Sequence, residues 1–580
     1  MEKTIEKRLT RSEVPEELTW DLKDLFVSDE AWESELEAIK NDIMGITKFK
    51  GTLHSGANVL LECLEAQEQL QMKLIKAGTF ASLRQSADGT DPINQANTSK
   101  FSSLRTGVSA QLSFIDSEIL SLPEGLVEAY LKDEAALAPF EKSLRELLAR
   151  KEHTLSPETE ESLAALGEVL NAPYQIFGMS KLADMQFSSI EDDNGNVLPN
   201  SFALFETRYE FSPDTSLRRK AYSSFVDTLQ KYKNTFATVY ATEVKKQVAL
   251  SRLRNYQSVT EMLLQPQQVS EEMYNNQLDI IVKELAPHYR RYAQLKKRVL
   301  GLDKVLFCDL KAPLDTSVSP TMTYEEASKL ILESTKVMGA EYSEIMEKGL
   351  TERWVDLADN VGKSTGAFCS SPYGSHPYIL ITWQNTMRNV FTLAHELGHA
   401  GHFYLANKYQ RIMNTRPSMY FVEAPSTMNE MLLANHLLEG TEDKQMRRWV
   451  ILSLLATYYH NFVTHVLEGE YQRRVYQLAE QGAALTAKTL SEVKGSVLSD
   501  FWGDTVELDE GAALTWMRQP HYYMGLYSYT YSAGLTVSTA VSQMIKEEGQ
   551  PIVERWLDCL KAGGSMKPHE LLKHVGMDMS

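Results

Sequence analysis

Cysteine is scarce in this 580-residue chain: Cys63, Cys308, Cys369 and Cys559 stand far apart, with no CxxC pair. That excludes a disulfide framework and a thiolate zinc site. Each cysteine is expected as a small buried hydrophobe in a reducing compartment. Positive charge is also in short supply. Lys and Arg number 59 against 78 Asp and Glu, a formal net charge of −19 at pH 7. A nucleic-acid partner needs a cationic surface to displace counterions from phosphates, so that class is excluded. The same acidity works against adsorption to an anionic membrane. Long apolar runs are lacking too. The longest charge-free stretch, near Trp449 to Tyr459, falls well short of the roughly 20 residues of a spanning helix. The opening MEKTIEKRLTRSEVPEELTW has neither the apolar core nor the small-residue cleavage site of a secretory signal. These absences predict a soluble, cytoplasmic protein with no nucleic-acid or membrane partner. They say nothing of its oligomeric state.

What is present forms helix. From Ser28 to about Leu170, apolar residues recur at three- and four-residue spacing, as in Leu60, Cys63, Leu64 and Leu70. Good helix formers dominate, and Ser212-Pro213-Asp214 and Ser156-Pro157-Glu158 read as helix starts. Two regions break the pattern. Around Phe187 to Phe205, apolar runs flank the turn signal Asp192-Asp193-Asn194-Gly195-Asn196, which predicts a β-hairpin. Farther on, a loop with glycine at 362, 366 and 374 leads into Tyr378-Ile379-Leu380-Ile381-Thr382-Trp383, read as a strand. The hairpin suggests a domain boundary, with an N-terminal helical domain over 1–190 and a catalytic domain over 191–580.

The segment that carries chemistry is Val390-Phe-Thr-Leu-Ala-His395-Glu396-Leu-Gly-His399-Ala-Gly-His402-Phe. On a helix, residues four apart sit one above the other, so His395 and His399 present two imidazoles to one point. Glu396 follows the first ligand and stands beside the metal, placed to take a proton from water. A catalytic zinc needs three protein ligands and one open position. The extended pattern HExxHxxGxxH fails, since position 405 is Leu. The third ligand therefore comes from farther on, and Glu423 in Tyr420-Phe-Val-Glu423-Ala-Pro-Ser-Thr-Met-Asn-Glu430 is the candidate. Glu430, on nearly the same helical face, would support a ligand, and His402 reads as a packing or supporting histidine.

The segments HELGHAGHF and FVEAPSTMNE resemble those of the thimet oligopeptidase and oligoendopeptidase F family of zinc peptidases, with the oligoendopeptidase F branch the nearer match by length. Trp20-Asp-Leu-Lys-Asp-Leu-Phe, Gly366-Ala-Phe and His376-Pro-Tyr agree with it. The resemblance spans nearly the whole chain and implies His395, His399 and Glu423 as ligands to one zinc ion, with Glu396 as catalytic base. It implies a mainly α, two-lobed helical zinc-peptidase fold with a deep substrate channel and a small β-sheet beside the active-site helix. The implied activity is endopeptidase cleavage of internal bonds in short peptides.

For the oxyanion of that reaction, donors are expected in Trp516-Met-Arg-Gln-Pro-His521-Tyr-Tyr-Met-Gly-Leu-Tyr527-Ser-Tyr529-Thr-Tyr531. The family likeness favours His521 and then Tyr527, the choice among Tyr527, Tyr529 and Tyr531 staying open. The strand at 378–383 is expected to offer an edge to an extended peptide, and the glycine loop before it to close over substrate. Two other readings stand beside this one: a helical scaffold stabilised by zinc, which would need a fourth protein ligand, and a hydrolase of the same layout acting on non-peptide amides.

Overall fold

The computed structural model describes residues 8–579, so the first residues of the stretch read for a signal, 1–7, lie outside it. The chain is mainly helical. Along it run α1 (Asp29–Thr47), α2 (Ala57–Ala87), the hairpin strands β1 (Ile190–Glu191) and β2 (Val197–Leu198), and α3 (Thr215–Leu253). There follow β3 (Val355–Asp356), β4 (Phe368–Ser370), β5 (Tyr378–Leu380), α4 (Met387–Tyr409) and α5 (Ala424–Gly440). Then come α6 (His465–Glu480), α7 (Ala487–Trp502) and α8 (Tyr529–Glu548). Capping residues set the starts. Ser28, Asp214 and Thr386 each accept a hydrogen bond from a backbone N–H of the first turn, satisfying one of the donors a helix start leaves open.

The chain divides into two compact units, neither of them contiguous. The first joins the residues up to Glu152 with Pro320–Gly440 and Thr536–Met577. The second is built from His153–Ser319 and Thr441–Leu535. The expected hairpin is present, with Ile190 paired to Leu198 and Gly195 at φ +82° in its turn. No compact unit ends there, because the hairpin lies within the second unit and packs on α3. The first unit is joined across its segments by one core. Trp32, Leu60, Phe80 and Phe140, from the N-terminal helices, share it with Tyr378 and Leu380 of β5. Trp20 stands edge-on to Tyr378 at 6.3 Å, so the Trp-Asp-Leu segment near the N-terminus braces the sheet.

That sheet corrects one expectation. Its strand order is β3-β5-β4, so the strand read from Tyr378 onward is central. β3 pairs with β5 in parallel and β4 in antiparallel register, Phe368 opposite Leu380 and Ser370 opposite Tyr378. The N–H groups of Ile379 and Ile381 are bonded to the carbonyls of Trp354 and Asp356 at 2.8 and 3.1 Å. They are therefore closed to a peptide; β3 and β4 are the outer strands, and beside β3 the chain is already bonded to the N-terminal segment, Leu357 N to Leu18 O at 2.9 Å and Asp21 N to Arg353 O at 3.1 Å. A fully buried strand reads as an unbroken apolar run for this reason. The glycine loop is tied down at its start as well: Gly362 O accepts from Gly89 N at 2.8 Å and Ser364 N donates to Ser86 O at 2.8 Å.

Among the described residues, the helical stretch Lys444–Glu480 is long enough, and over one 18-residue window of mean hydropathy 1.2 apolar enough, to cross a membrane by length and composition. It outruns the Trp449–Tyr459 stretch because a π-helical turn at Tyr459–Thr464 carries the helix into α6. Within the second unit α6 buries Glu468, Glu470 and Gln472, groups that belong in a hydrogen-bonded protein core. Cys63, Cys308 and Cys559 are buried and Cys369, on β4, is half-buried; all four are free thiols.

Candidate metal centre

The centre lies in the first unit and starts from α4. This helix is apolar on nearly every side, with Leu393, Leu397 and Leu405 wholly buried, each side chain contributing roughly 2 kcal/mol. Embedded in that helix, His395 and His399 stand one turn apart, edge to face, with ring centroids 5.0 Å from each other. The chain then turns back through Tyr420–Glu423, and α5 starts at Ala424. Glu423 thus stands just ahead of a helix N-terminus. Ser426 Oγ donates to its Oε2 at 2.9 Å.

Glu423 Oε2 lies 3.4 Å from His395 Nε2 and 3.3 Å from His399 Nε2. Donors bound tetrahedrally at the usual 2.0–2.1 Å from zinc stand about 3.3–3.4 Å apart. The residues present therefore fit a zinc ion without rearrangement. Gly398 makes the approach feasible. A Cβ there would meet Pro425 O at 2.4 Å and Ser426 Cα at 2.6 Å, so only glycine lets α5 come this close to α4.

Three carboxylates surround the pair of imidazoles. Glu430, two turns into α5, accepts from His395 Nδ1 at 2.6 Å, which fixes that ring with Nε2 toward Glu423. Burial works against charge on His395, yet its bonds to Glu423 and Glu430 hold its proton well above the ordinary imidazole range. Burial likewise opposes ionisation of Glu423, and the two histidines still hold it far below the carboxylate range. Glu423 thus stays a carboxylate facing two imidazoles, a donor set suited to a cation. Glu396 is different. It is 6% exposed, and burial raises its carboxyl above the usual range against the pull of His395 and His399. The strand β4 passes beside it, close enough for Glu396 to raise the Cys369 thiol further after burial.

His402 takes no part in the trio. It is fully buried against Phe403 and Phe421, with no hydrogen-bond partner on either nitrogen, and burial pushes its pKa down to about 3.

The remaining candidates belong to the second unit. His521, in a short turn at Pro520–Tyr523, packs against Tyr527 and Tyr531 at ring separations of 5.3 and 5.7 Å. Tyr529 is turned away: it is 1% exposed and its hydroxyl donates to Gln267 Oε1 at 2.7 Å. The same cluster contains groups the sequence reading did not single out. His465 Nδ1 donates to Glu468 Oε2 at 2.8 Å, and His521 Nδ1 stands 3.8 Å from that oxygen. A His-x-x-Glu pair at helical spacing was the available signal, hidden in an apolar stretch.

Two imidazoles that meet one carboxylate oxygen at 3.4 and 3.3 Å, with a buried glutamate next to the first imidazole, form a donor set that could hold a metal ion. Comparison with known proteins gives the kind of protein. Residues 209–580 match peptidase family M3 and residues 118–187 match its oligopeptidase F N-terminal part, so the chain belongs to peptidase family M3. It is 35% identical to "Oligopeptidase PepF" of Bacillus subtilis strain 168 over 98% of this chain and 85% of that one. It is 29% identical to "Group B oligopeptidase PepB" of Streptococcus agalactiae over 98% and 94% of the two chains. Among solved structures, oligoendopeptidase-F from Enterococcus faecium superposes with a TM-score of 0.72 at 27% identity, over 95% of this chain and 94% of that one.

Proposed function

We propose that the protein hydrolyses internal bonds of short peptides, using one zinc ion held by His395, His399 and Glu423, with Glu396 as the base. Membership of family M3 makes it a metalloendopeptidase, and the names of its relatives point to oligopeptides as substrates. The observation that carries the residue assignment is the pair of 3.3 and 3.4 Å separations meeting at Glu423 Oε2, with Glu396 alongside.

Zinc bound there lowers the pKa of a water and polarises the scissile carbonyl. Glu396 takes the proton of the attacking water on a carboxylate oxygen and passes it to the departing amine nitrogen. Glu430 keeps His395 in the tautomer that directs Nε2 inward. His521 and Tyr527 donate to the developing oxyanion, with Tyr531 the next choice. The outer edge of β4, running past Glu396, is the place for an extended peptide to add main-chain hydrogen bonds. A reducing cytoplasm suits the four free thiols.

The test is cleavage of a peptide pool of graded length, read by mass spectrometry, before and after metal removal. Internal cleavage of short peptides that stops on chelation and returns with stoichiometric zinc supports the reading. Cleavage that survives full chelation removes it.

A further inference from the structure

The second unit buries a carboxylate for which the proposed reaction has no use. Glu468, on α6, is 2% exposed. Its Oε2 accepts from His465 Nδ1 at 2.8 Å and from Ser528 Oγ at 3.2 Å. The third group facing that oxygen is His521, whose Nδ1 is 3.8 Å away and has no hydrogen-bond partner of its own. Behind His465 lies His460, the two Nε2 atoms 3.1 Å apart. Lys494, on α7, adds its positive charge, and Tyr522 also faces Glu468. Tyr531 stacks on His465 at 4.2 Å and, with Tyr527, flanks the His521 ring.

A second metal site is one way to read His465, Glu468 and His521, whose donor atoms all fall within 4.8 Å of one another. The spacing decides against it. The metal centre of the first unit has edges of 3.3 and 3.4 Å, whereas here one edge is a hydrogen bond of 2.8 Å and the other is 3.8 Å. His465 and Ser528 are hydrogen-bonded to the carboxylate, and His521 faces it from just beyond hydrogen-bond distance.

Resting on the reading that His521 serves the reaction, the geometry points to Glu468 as its positioning residue. The buried carboxylate, held by His465 and Ser528, fixes a proton on His521 Nδ1, so that Nε2 is the atom turned to substrate. A carboxylate facing one imidazole nitrogen sets which tautomer is present and steadies the charged ring without taking its proton. The Nδ1 proton stays on the ring throughout, and only the Nε2 proton is shared with the oxyanion. The 3.8 Å gap suits an enzyme without substrate, since catalytic hydrogen bonds often tighten only when the complex forms. Burial works against the Glu468 charge, but His465, His521 and Lys494 together hold its carboxyl well below the usual range. The anion is therefore present at every working pH.

The experiment uses the full-length zinc-loaded enzyme with labelled histidine, the His521 resonance being assigned by its absence in H521Q. Glu468→Gln keeps the shape and removes the charge. It is expected to lower kcat about 10–100-fold, in the manner of supporting residues around catalytic groups, with KM changed less than about threefold. The share of His521 rings that carry a proton on Nδ1, read by 15N NMR, should fall at the same time. Glu468→Asp, which keeps the charge, should recover part of both and replaces Glu468→Gln if that variant does not fold. Native kcat and an unchanged His521 tautomer in Glu468→Gln overturn the proposal. So does a second equivalent of zinc that the native enzyme holds and the variant loses. Full activity in H521Q instead removes the role given to His521, and the NMR shift still decides whether Glu468 positions it.

Discussion

Glycine at position 398 is the narrowest tolerance in the metal centre, and Gly398→Ala measures it. The added Cβ would sit 2.4 Å from Pro425 O and 2.6 Å from Ser426 Cα, both backbone atoms at the start of α5. Restoring ordinary contact requires moving that first turn by about 1 Å, because α4 is packed on its other sides. Glu423 immediately precedes the turn and is tied to it through Ser426. Its Oε2, now 3.3 and 3.4 Å from the two histidines, would be carried out of coordinating range. Loss of a supporting residue lowers metal affinity 10–100-fold, so displacement of a ligand should lower zinc affinity by about a hundredfold or more. Overpacking should also destabilise the metal-free protein by about 1–3 kcal/mol. The assays are zinc affinity by competition with a chromophoric chelator and denaturant unfolding of the metal-free protein. Gly107→Ala is the control: Gly107 lies within the helix Pro92–Leu112, and a Cβ there meets nothing within 4 Å. It should stabilise by about 0.5–1 kcal/mol and leave zinc binding alone. A Gly398→Ala protein that binds zinc as the native one does would refute the reasoning.

Four further outcomes are expected. Glu430→Ala should weaken zinc binding about 10–100-fold by freeing His395 Nδ1, as measured by equilibrium dialysis; unchanged affinity would show the bond to be idle. Glu210, buried between Arg518 and Lys311 at 2.6 and 2.8 Å, has its pKa lowered to about 2, its burial being outweighed by those two cations. A depressed carboxyl stabilises the fold above its unfolded value near 4.5 and loses that contribution as pH falls toward 2. Glu210→Gln should thus cost about 3 kcal/mol at pH 7, and denaturation curves should show the difference shrinking only below about pH 4.5. Tyr529→Phe, which removes the bond to Gln267, should cost about 1 kcal/mol of stability and little activity. Tyr527→Phe should instead lower kcat about a hundredfold, and the reverse ranking in a steady-state assay would reassign the oxyanion donor.

Much of the centre was legible in the sequence because its geometry is local. His395 and His399 meet through the helical repeat alone, and Glu396 follows from its place beside the first ligand. Glu423 needed a chain reversal that no periodicity reports, and what makes that reversal tight, Gly398 against Pro425, becomes visible only in three dimensions. Strand pairing was less readable. The partners of β5 are Val355–Asp356 and Phe368–Ser370, too short to show alternation, so a central strand was taken for an edge. The compact units were hidden for a similar reason, since the N-terminal helices join residues near 380 through one shared core. His465 and Glu468 went unmarked because a buried hydrogen-bonded pair at i, i+3 has the spacing of an ordinary surface pair.

The central claim is that Glu396 is the base beside a zinc ion held by His395, His399 and Glu423. Its most direct test is Glu396→Gln, prepared alongside the native enzyme, with metal content and cleavage of one defined peptide measured on the same samples. Equal zinc in both proteins, internal cleavage by the native enzyme and loss of kcat by about a thousandfold or more in the variant are the predicted result. A variant that carries its zinc and cleaves the peptide at the native rate would contradict the account.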